Sequence, residues 1–283
     1  MYFTKMQGAG NDFVLIEAGN MKRDWSKLAI AMCDRHFGIG SDGLILILSS
    51  KKADFRMRMF NPDGTEAEAC GNGIRCVVGY VIDTGLAKAK AKEITIETLG
   101  GVRKARLTKK DKVTEIQVTM GKPRFEMKEI PAALKPEEMT NIKPMISYKT
   151  KVDGKELVLN LVSMGNPHAV YFTTEPVANF PLSRLAPKVE HLSAFPARTN
   201  FEVARVVNRT QIEIGVWERG AGETLACGSG ACAVAVAAKL HDYTDNKVDI
   251  KLAGGLLTVE WDGSGEVLLS GPAEKVFTGE WPE

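Results

Sequence analysis

Cys70-Gly71-Asn72-Gly73 and Cys227-Gly228-Ser229-Gly230 are two copies of one pattern, each leading into an apolar stretch with helical spacing. The likeness extends upstream. Glu66-Ala67-Glu68-Ala69-Cys70 and Glu223-Thr224-Leu225-Ala226-Cys227 both read Glu-x-x-Ala-Cys-Gly-x-Gly, marking equivalent points of two similar half-chains. A cysteine at a helix start meets unpaired backbone N–H groups and the positive end of the dipole, which lower a thiol from about 8.5 and let it act as a base near neutral pH. The glycines let those same N–H groups approach a carboxylate closely. With the halves facing one another, one thiolate and one thiol would flank a bound molecule and invert a carbon stereocentre, one removing a proton and the other returning it to the opposite face. The bland alternative is two loops with small buried side chains, and the doubled context weighs against it.

Working outward, 283 residues suit two domains, and 44% hydrophobic with 25% charged residues is the balance of a soluble globular protein. A net charge of +2 is too even for a phosphate-backbone binder, so nucleic acid is not expected as a partner. The N-terminus lacks signal-peptide character and no apolar run reaches the length of a membrane span, so a cytoplasmic protein with no membrane partner is expected. Five cysteines are an odd number for a disulfide framework. Cys33, Cys76 and Cys232 read as core fillers.

Apolar alternation predicts strands at 13–16, 44–48, 55–60 and 94–98, and again at 113–119, 157–163, 169–172, 201–207 and 211–217. Helices are predicted from Ser26, as a cap, to His36, from Ile74 to Asp83 and from Ala231 to Leu240. The tail from Val248 to Phe277 reads as strands separated by glycine turns. Strands in hairpin-like succession with one well-buried helix per half make an α+β fold. The segment Gly121 to Pro144, with four prolines, suits a domain boundary. The expected division is 1–121, completed by a returning strand at 272–283, and 122–271. The stretch Lys88-Ala89-Lys90-Ala91-Lys92 and the pair Lys109-Lys110 read as solvated surface.

Lys5-Met6-Gln7-Gly8-Ala9-Gly10-Asn11-Asp12-Phe13, Phe60-Asn61-Pro62-Asp63-Gly64, Cys70 to Cys76, Gly165-Asn166-Pro167-His168 and Trp217-Glu218-Arg219-Gly220-Ala221-Gly222-Glu223-Thr224, with both cysteine motifs, closely resemble the diaminopimelate epimerase family from end to end. The resemblance implies a cofactor-independent isomerase interconverting LL- and meso-2,6-diaminopimelate in lysine biosynthesis. It also implies a homodimer and two pseudo-symmetric domains, each a mostly antiparallel sheet or barrel wrapped around a central helix. Carried over, Cys70 and Cys227 are the acid/base thiols, and Gly71, Asn72, Gly228 and Ser229 are donors to the carboxylate at the reacting centre. Asn11, Asn61, Asn166, Asn200, Glu218 and Arg219 match positions that bind the amines and the second carboxylate. His168 and Glu218 match positions that set thiol protonation. In Gly38-Ile39-Gly40-Ser41-Asp42-Gly43 some family members carry Gln where this chain has Gly43, so one side-chain contact is missing.

Four rivals are weaker, the first a non-catalytic amino-acid binding protein on the same scaffold, against which the retention of both thiols speaks. A metal site is disfavoured because the histidines are scattered and no Cys-x-x-Cys occurs. A thiol redox switch is expected only as a side reaction of closely placed thiols, read as reversible inactivation by oxidant. A proline or hydroxyproline racemase would have little use for so polar a set as Asn11, Asn61, Asn200, Glu218 and Arg219.

Overall fold

The computed structural model describes residues 1–68, 70–88, 92–110 and 113–282. The chain forms two compact units, Met1–Thr119 with Ser270–Glu283, and Met120–Leu269.

In the first unit the order is β1 (Tyr2–Gly8), β2 (Asn11–Glu17), α1 (Trp25–Cys33), β3 (Gly43–Leu48), β4 (Phe55–Phe60), β5 (Glu66–Ala67), α2 (Gly71–Asp83), β6 (Ile94–Thr98), β7 (Gly101–Lys110) and β8 (Val113–Gly121). The second unit holds β9 (Met139–Ile142), β10 (Met145–Val152), β11 (Lys155–Ser163), β12 (Pro167–Phe172), α3 (Leu182–Glu190), β13 (Asn200–Asn208), β14 (Gln211–Glu218), β15 (Gly222–Thr224), α4 (Gly228–Leu240), β16 (Lys247–Leu252) and β17 (Gly255–Glu260). After β18 (Val267–Gly271), β19 (Glu274–Glu280) returns to lie antiparallel to β1 in the first unit. The fold is therefore α+β and sheet-dominated.

The duplication is visible in the pairing. β1 and β2 are antiparallel, β2 and β3 parallel, β3 and β4 antiparallel, β4 and β6 parallel, and β6 and β7 antiparallel. The series β11 to β12, β13, β14, β16 and β17 repeats those five senses. Each parallel step needs a crossover, and helices supply it, α1 and α2 in one unit and α3 and α4 in the other.

In each unit the second of these helices is the buried one. From Ala231 to Ala238 every residue of α4 is buried, and α2 buries Ile74, Cys76, Val77, Val78 and Val81. A helix apolar all round has no solvent face and must be wrapped by strands. Both helices begin three residues earlier than the sequence predicts, so the glycines lie inside the first turn. Packing explains them. A Cβ on Gly73 would stand 2.9 Å from Ile45 Cδ1, and one on Gly230 would stand 2.7 Å from Glu202 Oε1.

Several local expectations are corrected. The cap of α1 is Asp24, whose side chain accepts from Lys27 N, while Ser26 Oγ donates to the Gly64 carbonyl at 2.8 Å. That helix ends at Cys33, short of His36. The proline-rich segment after Gly121 is more than a tether, since Ile130 is buried in the core of the second unit and Arg124 pairs through its backbone with Ser163. The helix α3 contains Pro187, which reads as a breaker. Burial of Leu185, Ala186 and Val189 against Phe201 and Val203 overrides that propensity. Lys88 and Lys92 are exposed, residues 69, 89–91, 111, 112 and 283 lie outside the described residues, and so do the side chains of Lys109 and Lys110.

Phe201 is fully buried whereas Phe37 is 93% exposed. Phe201→Ala should cost about 3–5 kcal/mol in denaturant unfolding, and Phe37→Ala should stay within about 0.5 kcal/mol.

Candidate active site

In each unit the cysteine is the residue that caps the buried helix. Cys70 has φ −140° and ψ 117°, and its sulfur accepts from Gly73 N at 3.4 Å. Cys227 has φ −119° and ψ 112°, and its sulfur accepts from Gly230 N at 3.4 Å. Extended backbone with a side-chain acceptor for the third helical N–H is N-cap geometry, with sulfur in the place usually held by oxygen. Among the described residues the five cysteines form no disulfide. Cys33, Cys76 and Cys232 are buried core residues, and burial pushes the Cys76 thiol up to about 12.

Around Cys70 the neighbours are amides. Asn11 Oδ1 accepts from Asn72 Nδ2 at 3.1 Å and from the Cys70 thiol at 3.8 Å, while Asn11 Nδ2 donates to Asp42 Oδ2 at 2.7 Å. Behind this lies a cluster the sequence reading did not single out. Lys5 is buried, bonds the Gly40 carbonyl and pairs with Asp12 at 2.6 Å, and Arg35 bridges Asp12 and Asp42. Burial raises the Asp12 carboxyl, but the hydrogen bonds and charges of Arg35 and Lys5 outweigh it and hold the group below its ordinary value. Asn61 stands apart from this network and donates to Thr65 Oγ1 at 2.9 Å in the turn after β4.

Around Cys227 the neighbours ionise. His168 Nδ1 lies 2.6 Å from Glu202 Oε1 and both side chains are fully buried. His168 Nε2 is 3.0 Å from Asn166 Oδ1, Asn166 Nδ2 donates to Ser229 Oγ at 3.3 Å, and Ser229 Oγ lies 3.4 Å from Cys227 Sγ. Glu218 hydrogen-bonds Cys227 and accepts from Thr224 Oγ1 at 2.7 Å. Asn200 donates to the Pro167 carbonyl at 2.7 Å and accepts from Arg219 N at 2.9 Å. The exposed Arg219 guanidinium makes one bond to the Ala197 carbonyl. A second unanticipated residue, buried Glu190, accepts from Trp217 Nε1 at 2.7 Å and Gly220 N at 3.0 Å, clamping both ends of the segment that carries Glu218 and Arg219.

The expectation of a thiol lowered by its helix start fails at Cys227. Burial pushes it well above its ordinary value, the carboxylates of Glu218 and Glu202 push it further, and the bonds from Ser229 and Gly230 N only partly offset them. A cap of sulfur by one amide is worth less than the hydration it loses.

Register aligns the two polar sets. Phe13 is opposite Gly43 across the parallel β2/β3 pair, and His168 is opposite Asn200 across β12/β13. Phe60 faces Glu66 as Trp217 faces Glu223. Asn11 therefore corresponds to Asn166, Gly43 to Asn200, Asn61 to Glu218, Asn72 to Ser229, and Ile45 to Glu202. At Gly43 a Cβ would lie 3.0 Å from the Phe60 carbonyl, so this chain packs backbone where the other unit places an amide. Among the described residues no group of three or more His, Cys, Asp or Glu is placed to hold a metal ion.

The fold is that of a class of paired-unit proteins that includes epimerases and racemases. It matches a phenazine biosynthesis protein of the PhzF family from Bacillus anthracis with a TM-score of 0.71 at 15% identity, covering 100% of this chain and 99% of that one. It also matches a hydroxyproline epimerase from Agrobacterium vitis with a TM-score of 0.68 at 14% identity, covering 99% and 91%. Within that class the chain belongs to the diaminopimelate epimerase family, whose profile matches residues 3–126 and 160–276. It is 47% identical to the diaminopimelate epimerase of Acetivibrio thermocellus over 99% of this chain and 98% of the relative, and 47% identical to that of Moorella thermoacetica over 100% and 99%.

Glu218 supplies a stability test. Burial raises its carboxyl above the ordinary value, the bonds from Thr224 and Cys227 offsetting only part. A folded value above the unfolded one means that stability is lost as pH rises from about 4.3 through the folded value. Glu218→Gln should therefore unfold at equal or higher denaturant than the parent at pH 7, with the advantage vanishing near pH 4; a variant weakened at pH 7 alone would contradict this.

Proposed function

We propose that this chain is a cofactor-independent isomerase interconverting LL- and meso-2,6-diaminopimelate, in the service of lysine biosynthesis, with Cys70 and Cys227 as its two acid/base thiols. The observation that carries the reading is the doubled helix start: in each unit a cysteine sulfur caps a buried helix, beside a first turn of glycine and a polar residue.

An α-proton next to a carboxylate is weakly acidic, and its removal leaves charge on the carboxylate oxygens. Helix-start N–H groups at Gly71, Asn72, Gly228 and Ser229 are donors suited to that developing charge. One thiolate takes the proton and the other thiol delivers one to the opposite face, so the product leaves the two thiols with exchanged protonation. Cys227, buried beside two carboxylates, starts as the thiol. His168 and Glu218 then govern its proton. Asn11, Asn61, Asn166, Asn200, Glu218 and Arg219 are assigned to the distal amino-acid end, where Glu218 can accept from an ammonium and Arg219 can clasp a carboxylate. Proline has no such distal group. The likeness to hydroxyproline epimerase is one of fold, whereas family membership at 47% identity favours diaminopimelate.

We assign the protein to the cytoplasm as a homodimer. Support for assembly comes from Tyr2, Val276 and Phe277, large apolar side chains exposed on β1 and β19 of the first unit. Light scattering after size exclusion should give about twice 30.8 kDa, and Phe277→Lys should move the mass toward a single chain.

Incubation with either isomer in deuterated water, with no added cofactor, should give epimerisation with deuterium at the α-carbon. Absence of exchange would refute the assignment. Cys70→Ala and Cys227→Ala should each lower kcat by about 10³-fold or more with the fold retained. The profile of kcat/KM should be bell-shaped in pH, because one thiol must be ionised and the other protonated.

A further inference from the structure

Glu202 has so far entered only as a charge near Cys227, yet it is a fully buried carboxylate packed against the first turn of α4. Oε1 bonds His168, and Oε2 has no hydrogen-bond partner among the described residues. Burying an acceptor-only group this way is costly without a compensating cation. Packing does not demand the pair, because the corresponding positions in the first unit are Phe13 and Ile45, both fully buried apolar side chains. The same scaffold is thus filled with hydrocarbon in one unit and with a carboxylate and an imidazole in the other.

From Glu202 a continuous series of hydrogen bonds runs through His168, Asn166 and Ser229 to the Cys227 sulfur, at 2.6, 3.0, 3.3 and 3.4 Å. Every link has a direction, and the ends fix the directions. An ionised Glu202 can only accept, in which case Nδ1 of His168 donates. When Nε2 also carries a proton it donates to Asn166 Oδ1, the Asn166 amide donates to Ser229 Oγ, and the Ser229 hydroxyl has only the sulfur left to donate to. That direction favours a thiolate. When Nε2 is bare, the Asn166 amide turns over and donates to it, Ser229 donates to Asn166, and the sulfur loses its hydroxyl donor, which favours the thiol. The two arrangements hold the same number of protons, imidazolium with thiolate or imidazole with thiol.

We propose that Glu202 is a positioning residue for Cys227, biasing this relay toward the direction in which Ser229 donates to the sulfur. The proposal rests on Cys227 being an acid/base thiol and names what favours its thiolate in the direction of reaction in which it receives a proton. The other titratable group facing the relay is Glu218 on β14, which meets Cys227 directly and also feels the charges of His168 and Glu202.

Two effects of Glu202 on Cys227 oppose each other, and their signs make the test. As a bare negative charge near the sulfur, Glu202 disfavours the thiolate, so its removal would speed thiol alkylation. Acting through the relay, it favours the thiolate, so its removal slows alkylation. The rate of iodoacetamide reaction at Cys227, located by mass spectrometry of the full-length protein at mildly alkaline pH, reports the thiolate fraction and needs no substrate. Glu202→Gln should slow it on the order of tenfold, equivalent to about one pK unit. In a Ser229→Ala background the same change should add nothing, because the last link is already gone. The double variant His168→Phe with Glu202→Ile, which copies Phe13 and Ile45, keeps the test available should Glu202→Gln fail to fold, and it too should react more slowly. A rate that is unchanged or faster, or an effect that persists with Ser229→Ala, overturns the proposal. Epimerisation by the parent protein is measured separately, so failure of the relay and failure of the assigned reaction give different results.

Discussion

A cysteine sulfur accepting the third backbone N–H of a largely buried helix is the interaction on which both units depend. The helix cannot shift, because strands surround it, and its cap cannot shift without it. Gly73 and Gly230 leave no room for a side chain between the first turn and the neighbouring strand, so that turn is held close to the strand while its N–H holds the sulfur. Glycine in a helix costs about 1 kcal/mol relative to alanine. Here close approach to Ile45 in one unit and Glu202 in the other makes the smaller residue the stable choice.

The same backbone carries two different electrostatic settings. Cys70 is half-buried among amides, with the carboxylates of Asp12 and Asp42 already engaged by Lys5 and Arg35. Cys227 is buried next to Glu218, with the His168 and Glu202 pair behind it, and burial dominates its titration. Helix-end donors are present at both. What differs most is two corresponding inward positions, Phe13 and Ile45 in one unit and His168 and Glu202 in the other. Duplication supplied two equivalent caps, and substitution of a few inward-facing residues made them chemically unequal.

Much of this was legible in the chain. The doubled Glu-x-x-Ala-Cys-Gly-x-Gly gives the repeat, the alternating runs give most strands, and Asn11, Asn61, Asn166, Glu218 and Arg219 stand in motifs specific enough to be read as a set. The helix α3 was not legible because Pro187 breaks its local propensity, although its place opposite α1 in the repeat was a signal that could have found it. Lys5, Glu190 and Glu202 were not legible either. Each is a charged residue in a strand or at a helix end that reads as surface, and only the partner across the fold makes it buried and directional.

By itself the sequence determined the two cysteine caps, the glycine turns and most of the strand order, because these depend on residues close together along the chain. Only the tertiary structure decided the proton affinity of Cys227 and the neighbours that govern it. A helix start lowers a thiol through local N–H groups, whereas desolvation and the carboxylates of Glu218 and Glu202 act through space from β13 and β14. In this protein the through-space terms are the larger.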